Sequence, residues 1–349
     1  MLKPATVQIL LAALACAVAS AASGQESLAA RLAASHYKIA YECYLEGNSD
    51  IFVMNADGSN PVNLTKTSKL NEHFPQISPD ATRIAFVSDE GEGREAVRSL
   101  CVMDIDGGNR KTLVDHAREP FWSPDGKRIG FLPQEFPKFN VIDYYTKGLN
   151  FYELATGRIE PHVNSGKLHH LYNPGMSVDG RWIVSTVHAG MGFGHAILLI
   201  EAAGDRIVNL NIPGCRPCFS PDAKQVAWGA DDHEIAAAPI NWDAAKPTAG
   251  ARRVRVKDAK NKIYHVDWSP DGRFLCVSRG PDGEGDLSKP GTFQAACEIM
   301  GVYAAGWDLC VVDAEQGGVI DLNDPGEKRF TMVTHNGASN KEPAWFRAR

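Results

Sequence analysis

The chain has 349 residues, of which 44% are hydrophobic, 9% aromatic and 22% charged, enough apolar material for a sizeable core and unlike a collagen or an extensively disordered protein. Lys and Arg total 36 against 42 Asp and Glu, a formal net charge of −6, so there is no global basic field to grip nucleic acid. The 32 Gly and 20 Pro, spread along the sequence, favour one large architecture of short strands and turns over two mixed domains.

Residues 1–24 read as a secretory leader: Lys3 supplies the charge, 7–19 is nearly all apolar, and Ala19-Ser20-Ala21 is a small-x-small cleavage site. The apolar run is too short for a membrane span, and no other segment suits one. The expectation is a mature protein of the periplasm or extracellular space that is not integral to a membrane. A short segment at 25–37 leads into a single repeat domain covering 38–349.

One pattern then recurs: Pro-Gln-Ile-Ser-Pro-Asp at 75–80, Pro-Phe-Trp-Ser-Pro-Asp-Gly at 120–126, Pro-Gly-Met-Ser-Val-Asp-Gly at 174–180, Pro-Cys-Phe-Ser-Pro-Asp at 217–222 and Val-Asp-Trp-Ser-Pro-Asp-Gly at 266–272. A degenerate copy, Pro-Ala-Trp-Phe, closes the chain at 343–346. With the Ser as marker, Ser78, Ser123, Ser177, Ser220, Ser269 and Phe346 are spaced by 45, 54, 43, 49 and 77 residues. That period, roughly 40–45 residues, is the length of a four-stranded propeller blade.

The chemistry of each copy agrees. Pro presets φ, Asp caps backbone amides and Gly accepts a positive φ, so Ser-Pro-Asp-Gly is a turn, and Asp80, Asp125, Asp179, Asp222 and Asp271 are structural. Alternating apolar runs follow as second strands, for example at 83–87 and 273–277. Third strands stand out at 50–58, 100–107 and 309–317, and short fourth strands at 61–65 and 111–114. The run at 38–41 matches a second strand, whereas 342–345 matches a first. The expected fold is all-β, a closed six-bladed β-propeller whose blade 1 is completed by the C-terminal strand.

The strings at 50–58, 122–126 and 268–272 resemble the WD-like repeats of the TolB-like propellers, over residues 38–346. Similar repeats build the propellers of prolyl-oligopeptidase-type enzymes and tricorn protease. TolB carries an α/β domain ahead of its propeller, where this chain has about a dozen residues between leader and first strand. The hydrolases need a Gly-x-Ser-x-Gly elbow, and no such string occurs. The resemblance implies a non-catalytic scaffold of the cell envelope, monomeric, binding a protein or peptide partner, with no cofactor and no metal.

Propellers bind ligands at the mouth of the central channel, where loops lead into the inner strands. Four positions before each marker stand Phe74, Glu119, Asn173, Arg216, His265 and Glu342, with His73, Arg118, His169, His170 and Tyr264 beside them. The ligand-binding candidates are His73, Glu119, His170, Arg216, His265 and Glu342. A reading of a different class is a metal-assisted, polysaccharide lyase-like enzyme, with His73, His170 and His265 as ligands and Arg216 on a sugar carboxylate. Oligogalacturonate lyases are similar propellers with a His-bound metal, built on seven blades. His188 and His195 read as surface or core positions.

The last spacing is long because of an insertion at about 279–307. Its acidic start at 280–286 and apolar run at 293–303 could cover one channel end or contact a partner. Asp282, Glu284 and Asp286 do not follow the EF-hand order. Seven cysteines remain beyond Cys16, an odd number that cannot pair completely within one chain. Cys215 and Cys218, three apart on a strand, are expected on opposite faces with Cα atoms about 10 Å apart, beyond disulfide reach. Cys101, Cys276 and Cys310 read as small core residues.

Overall fold

A computed structural model describes residues 26–91, 97–134, 146–281 and 305–348. The leader and the greater part of the insertion, with Asp282, Glu284, Asp286 and the apolar run at 293–303, lie outside the described residues.

Every Ser-Pro-Asp turn is built alike. The Ser hydroxyl donates to the Asp two residues on, at 2.6 Å from Ser78 to Asp80 and 2.7 Å from Ser269 to Asp271. The same hydroxyl accepts the amide that opens the second strand, Arg83 N at 2.9 Å and Phe274 N at 2.9 Å. Ser123, Ser177 and Ser220 repeat both bonds. Each of these five turns thus hands an innermost strand to its antiparallel neighbour at one register, which is why the motif recurs once in each of five sheets.

The result is six radial antiparallel sheets. Blade 2 runs Leu70–Ile77, Arg83–Glu90, Val97–Asp104, Lys111–Asp115 from the axis outward; blade 3 runs Ala117–Trp122, Arg128–Pro133, Asn150–Glu153, Ile159–Pro161. Blade 4 comprises Leu171–Met176, Trp182–Gly190, Phe193–Glu201 and Ile207–Asn209. Blade 5 comprises Cys215–Phe219, Gln225–Asp231, Glu234–Asn241 and Arg253–Lys257, and blade 6 Lys262–Trp268, Phe274–Gly280, Asp308–Asp313 and Phe330–Met332. In blade 1 the C-terminal strand Ser339–Arg347 is innermost, followed by Tyr37–Leu45, Asn48–Asn55 and Val62–Asn63. Ile39 pairs with Trp345 and Ala40 with Ala344, so the two ends of the domain close the ring as the sequence implies.

Alternation along each strand sends side chains to both faces of a blade, and the core forms between blades. Six apolar clusters fill the six interfaces, such as Ile51 and Val53 against Ile84, Phe86 and Met103 between blades 1 and 2. At roughly 1.5–3 kcal/mol per large buried apolar side chain, these interfaces dominate the stability. Cys101, Cys276 and Cys310 are buried there. Two features go beyond the repeat. Ile320–Asp321, from the connection between the outer strands of blade 6, pairs parallel to Arg253–Lys257 and widens blade 5. A seven-residue helix, Leu28–Ala34, N-capped by Ser27, packs Leu28 and Leu32 onto the seam between blades 6 and 1. No described helix is long and apolar enough to cross a membrane.

Candidate functional site

Proline lacks the N–H that a sheet ladder needs and survives within strands chiefly at bulges. The innermost strands carry Pro75, Pro120, Pro174, Pro217 and Pro343, and each has a register shift there; blade 6, with Val266 at that position, shifts too. The residue before each is left-handed: Phe74 at φ 53°, Glu119 at 45°, Asn173 at 46°, Arg216 at 54°, His265 at 53° and Glu342 at 50°. Non-glycine residues in this region each cost on the order of 1–3 kcal/mol, so the repeat accepts strain at six equivalent points round the axis.

The neighbouring blade helps to hold three of these bulges. Phe74 N donates to Glu42 Oε2 at 3.2 Å, Asn173 N donates to Glu119 Oε2, and Arg216 N donates to Thr186 Oγ1 at 2.9 Å. These are the residues that repeat counting singled out, but they are not loop residues at a mouth. They lie inside the innermost strands, because a bulge interrupts the alternation that would mark the strand in sequence.

A cavity of about 370 Å³ runs along the axis from Asn173, Arg216, His265 and Glu342 to the Ser-Pro turns, where Pro79, Pro124, Val178 and Pro221 line its end. His265 Nε2 stands 3.2 Å from Glu342 Oε1. The Glu342 carboxyl is held well above the usual carboxylate range, first by burial and then by Glu42 and Glu119, against the pull of Arg216 and Lys341. Arg216 lies over the Tyr264 ring, 4.6 Å from its centroid, and is 5% exposed. The site therefore offers a buried cation and, beside an imidazole, a carboxyl whose neutral form burial favours, under an apolar collar of prolines.

The other candidates, Glu119, His73 and His170, are not among the residues that line this cavity. Glu119 is 3.1 Å from Arg118, whose guanidinium also donates to Leu171 O at 2.6 Å. His73 is fully enclosed; burial lowers its pKa, but the Glu42 carboxylate 3.5 Å away outweighs that and raises it overall. His170 Nδ1 lies 3.1 Å from the His188 carbonyl in blade 4. His73, His170 and His265 thus belong to blades 2, 4 and 6, and among the described residues no three His, Cys, Asp or Glu side chains could hold a metal ion together.

Repeat counting missed Asp267. Its carboxylate accepts Trp345 N at 2.9 Å and the Cys218 thiol at 3.2 Å, which links blades 6, 1 and 5, and burial pushes it up to about 6. The bulge also corrects the expectation for the cysteines: Cys215 pairs with Gly229 and Cys218 with Ala227, so they oppose residues two apart and are not on alternate faces. Both are free thiols.

No family model matches the chain. A 57-residue stretch is 42% identical to the Tol-Pal system protein TolB of Xanthomonas campestris pv. campestris, covering 16% of this chain and 13% of that protein. Another, of 134 residues, is 28% identical to dipeptidyl-peptidase 5 of Porphyromonas gingivalis, covering 36% of this chain and 19% of that protein. The chain thus spans less than a fifth of either curated relative. Among solved structures, TolB from Acinetobacter baumannii superposes with a TM-score of 0.61 at 17% identity, over 88% of this chain and 66% of that one. A chain of the nidogen/laminin complex gives 0.59 at 9% identity, over 88% and 98%. The fold is that of the TolB-like six-bladed propellers.

Proposed function

We propose that this chain is a non-catalytic binding scaffold of the cell envelope, periplasmic or secreted, that engages a protein or peptide partner at its central channel. The observation that carries the reading is the ring of six strained bulges about the axis, four of which, at Asn173, Arg216, His265 and Glu342, line one cavity. Strain of that kind persists where surrounding structure over-determines it, and it clusters at sites of recognition. Arg216, His265 and Glu342 supply the polar contacts, and the proline collar supplies apolar surface, the mixture that peptide-sized ligands use. Likeness to TolB, named for the Tol-Pal system, supports an envelope partner.

The rival reading, a metal-assisted lyase, needs His73, His170 and His265 to converge. Each is engaged elsewhere: His73 with Glu42, His170 with the His188 carbonyl and His265 with Glu342. The test is retention of a partner from envelope extract by the immobilised full chain. Arg216→Ala and His265→Ala should each reduce retention at least tenfold with the melting temperature within a few degrees of wild type. Undiminished retention by both folded variants would remove the channel as the binding surface.

A further inference from the structure

Away from the channel, a second cavity of about 520 Å³ opens on the outer side of the ring, between blades 3 and 4. One wall is Phe151 and the outermost strand Ile159–Pro161, continued by His162 and Val163; the other is Ala202 and Ala203, in the turn that follows Phe193–Glu201. His162 braces the two walls. Its Nδ1 accepts the Asn164 N–H at 3.0 Å, which leaves the ring proton on Nε2 to be donated to Glu201 O at 2.8 Å. Three charged side chains line the cavity: Arg128, Arg158 and Glu160. Arg158 is matched, at 2.8 Å from Glu160 and 3.8 Å from Glu153. Arg128 is not. Its guanidinium carbon stands 4.9 Å from the centroid of the Phe151 ring. Glu153, its cross-strand neighbour, accepts the Thr156 hydroxyl at 2.7 Å, and Asp125 accepts the Ser123 hydroxyl and the Lys127 amide. No described carboxylate forms an ion pair with Arg128. The apolar rim also stands out, since only six large hydrophobic side chains are strongly exposed among the described residues, and two of them, Ile159 at 46% and Val163 at 67%, border this cavity.

We propose that this cavity binds a small monocarboxylate with an apolar tail, its carboxylate on Arg128 and its tail along Phe151, Ile159, Val163 and Ala202. Small-ligand sites are concave, roughly 300–1,000 Å³ in volume, and mostly apolar with a few polar anchors; this cavity meets each condition. A guanidinium beside an aromatic ring keeps a planar pair of N–H donors that matches the two oxygens of a carboxylate. Covering Ile159 and Val163 removes apolar surface from water, which drives the tail into place. The charges also set the selectivity. Arg158 and Glu160 cancel, so one positive charge is left for one negative charge, and a second carboxylate on the ligand would meet Glu160.

This site is independent of the channel's ligand, and its test does not use partner capture. The full chain is titrated calorimetrically with octanoate, with its uncharged counterpart octanamide and with the dicarboxylate octanedioate. The expected result is one equivalent of octanoate bound, with octanamide and octanedioate each at least tenfold weaker. Arg128→Gln and Val163→Asp should each weaken octanoate at least tenfold, while Val62→Asp, at an exposed valine of blade 1, binds as wild type. Should Arg128→Gln fail to fold, Val163→Asp at its exposed position carries the same expectation. No saturable binding of octanoate, octanamide or octanedioate bound as tightly, octanoate binding undiminished by a folded Arg128→Gln or Val163→Asp, or binding lost with Val62→Asp would overturn the proposal.

Discussion

Asp267 shows how one buried carboxyl ties three blades together at an electrostatic cost. Its pKa, pushed up to about 6 from an ordinary 3.8, means that the folded protein prefers it protonated. The corresponding stabilisation is complete below pH 3.8 and is lost as pH rises through about 6. Asp267→Asn keeps an acceptor for Trp345 N but cannot ionise. The difference in unfolding free energy between variant and wild type should therefore grow in the variant's favour from pH 4 to pH 7, measured by urea denaturation across that range; a pH-independent difference would refute the assignment. The signal for this residue is thin, because Asp267 shares its strand with Lys262 and His265 and no local motif sets it apart. The five prolines of the innermost strands were a stronger and unread signal. Taken as bulge markers, Pro75, Pro120, Pro174, Pro217 and Pro343 place the residue before each inside an innermost strand, where repeat counting assigned it to a loop. The same bulge reverses the expected facing of Cys215 and Cys218.

At the scale of elements, the turns were legible and the seam was not. Ser-Pro-Asp, with Ser-Val-Asp at 177–179, carries its structure in local hydrogen bonds, so the motif alone locates the five hairpins of blades 2 to 6. The helix Leu28–Ala34 has no such local code. Seven residues are too few to display an amphipathic period or to be stable alone, and the helix exists because Leu28 and Leu32, one turn apart, bury against Phe274 and Trp345 while Arg31 pairs with Asp313 and with Glu315 at 2.8 Å. Leu32→Ala should cost about 2–4 kcal/mol, as a buried leucine does, and increase proteolysis near residue 35 ahead of global unfolding. A loss under 1 kcal/mol would mean that the helix does not brace the seam. The two-residue strand Ile320–Asp321 was likewise invisible, since its partner is set by the crossing of one blade's connection onto the next and not by its own residues.

At the scale of the whole molecule, repetition makes the fold readable and the function less so. Six units of one plan specify six interfaces and one axis, and the pairing of Ser339–Arg347 with Tyr37–Leu45 completes blade 1 and closes the ring. What differs between units is the residue at the bulge: Phe74, Glu119, Asn173, Arg216, His265 and Glu342 share a backbone conformation and little else. Individuality concentrated at the axis is the central claim about where this protein meets its partner. Site-specific photo-cross-linking in envelope extract tests it most directly, with the reactive group at Val178, 59% exposed at the end of the cavity, or at Val62, 49% exposed on the outer edge of blade 1. The expected result is a discrete adduct from position 178 that disappears with Arg216→Ala, and none from position 62. An adduct from position 62 with none from 178 would contradict the account.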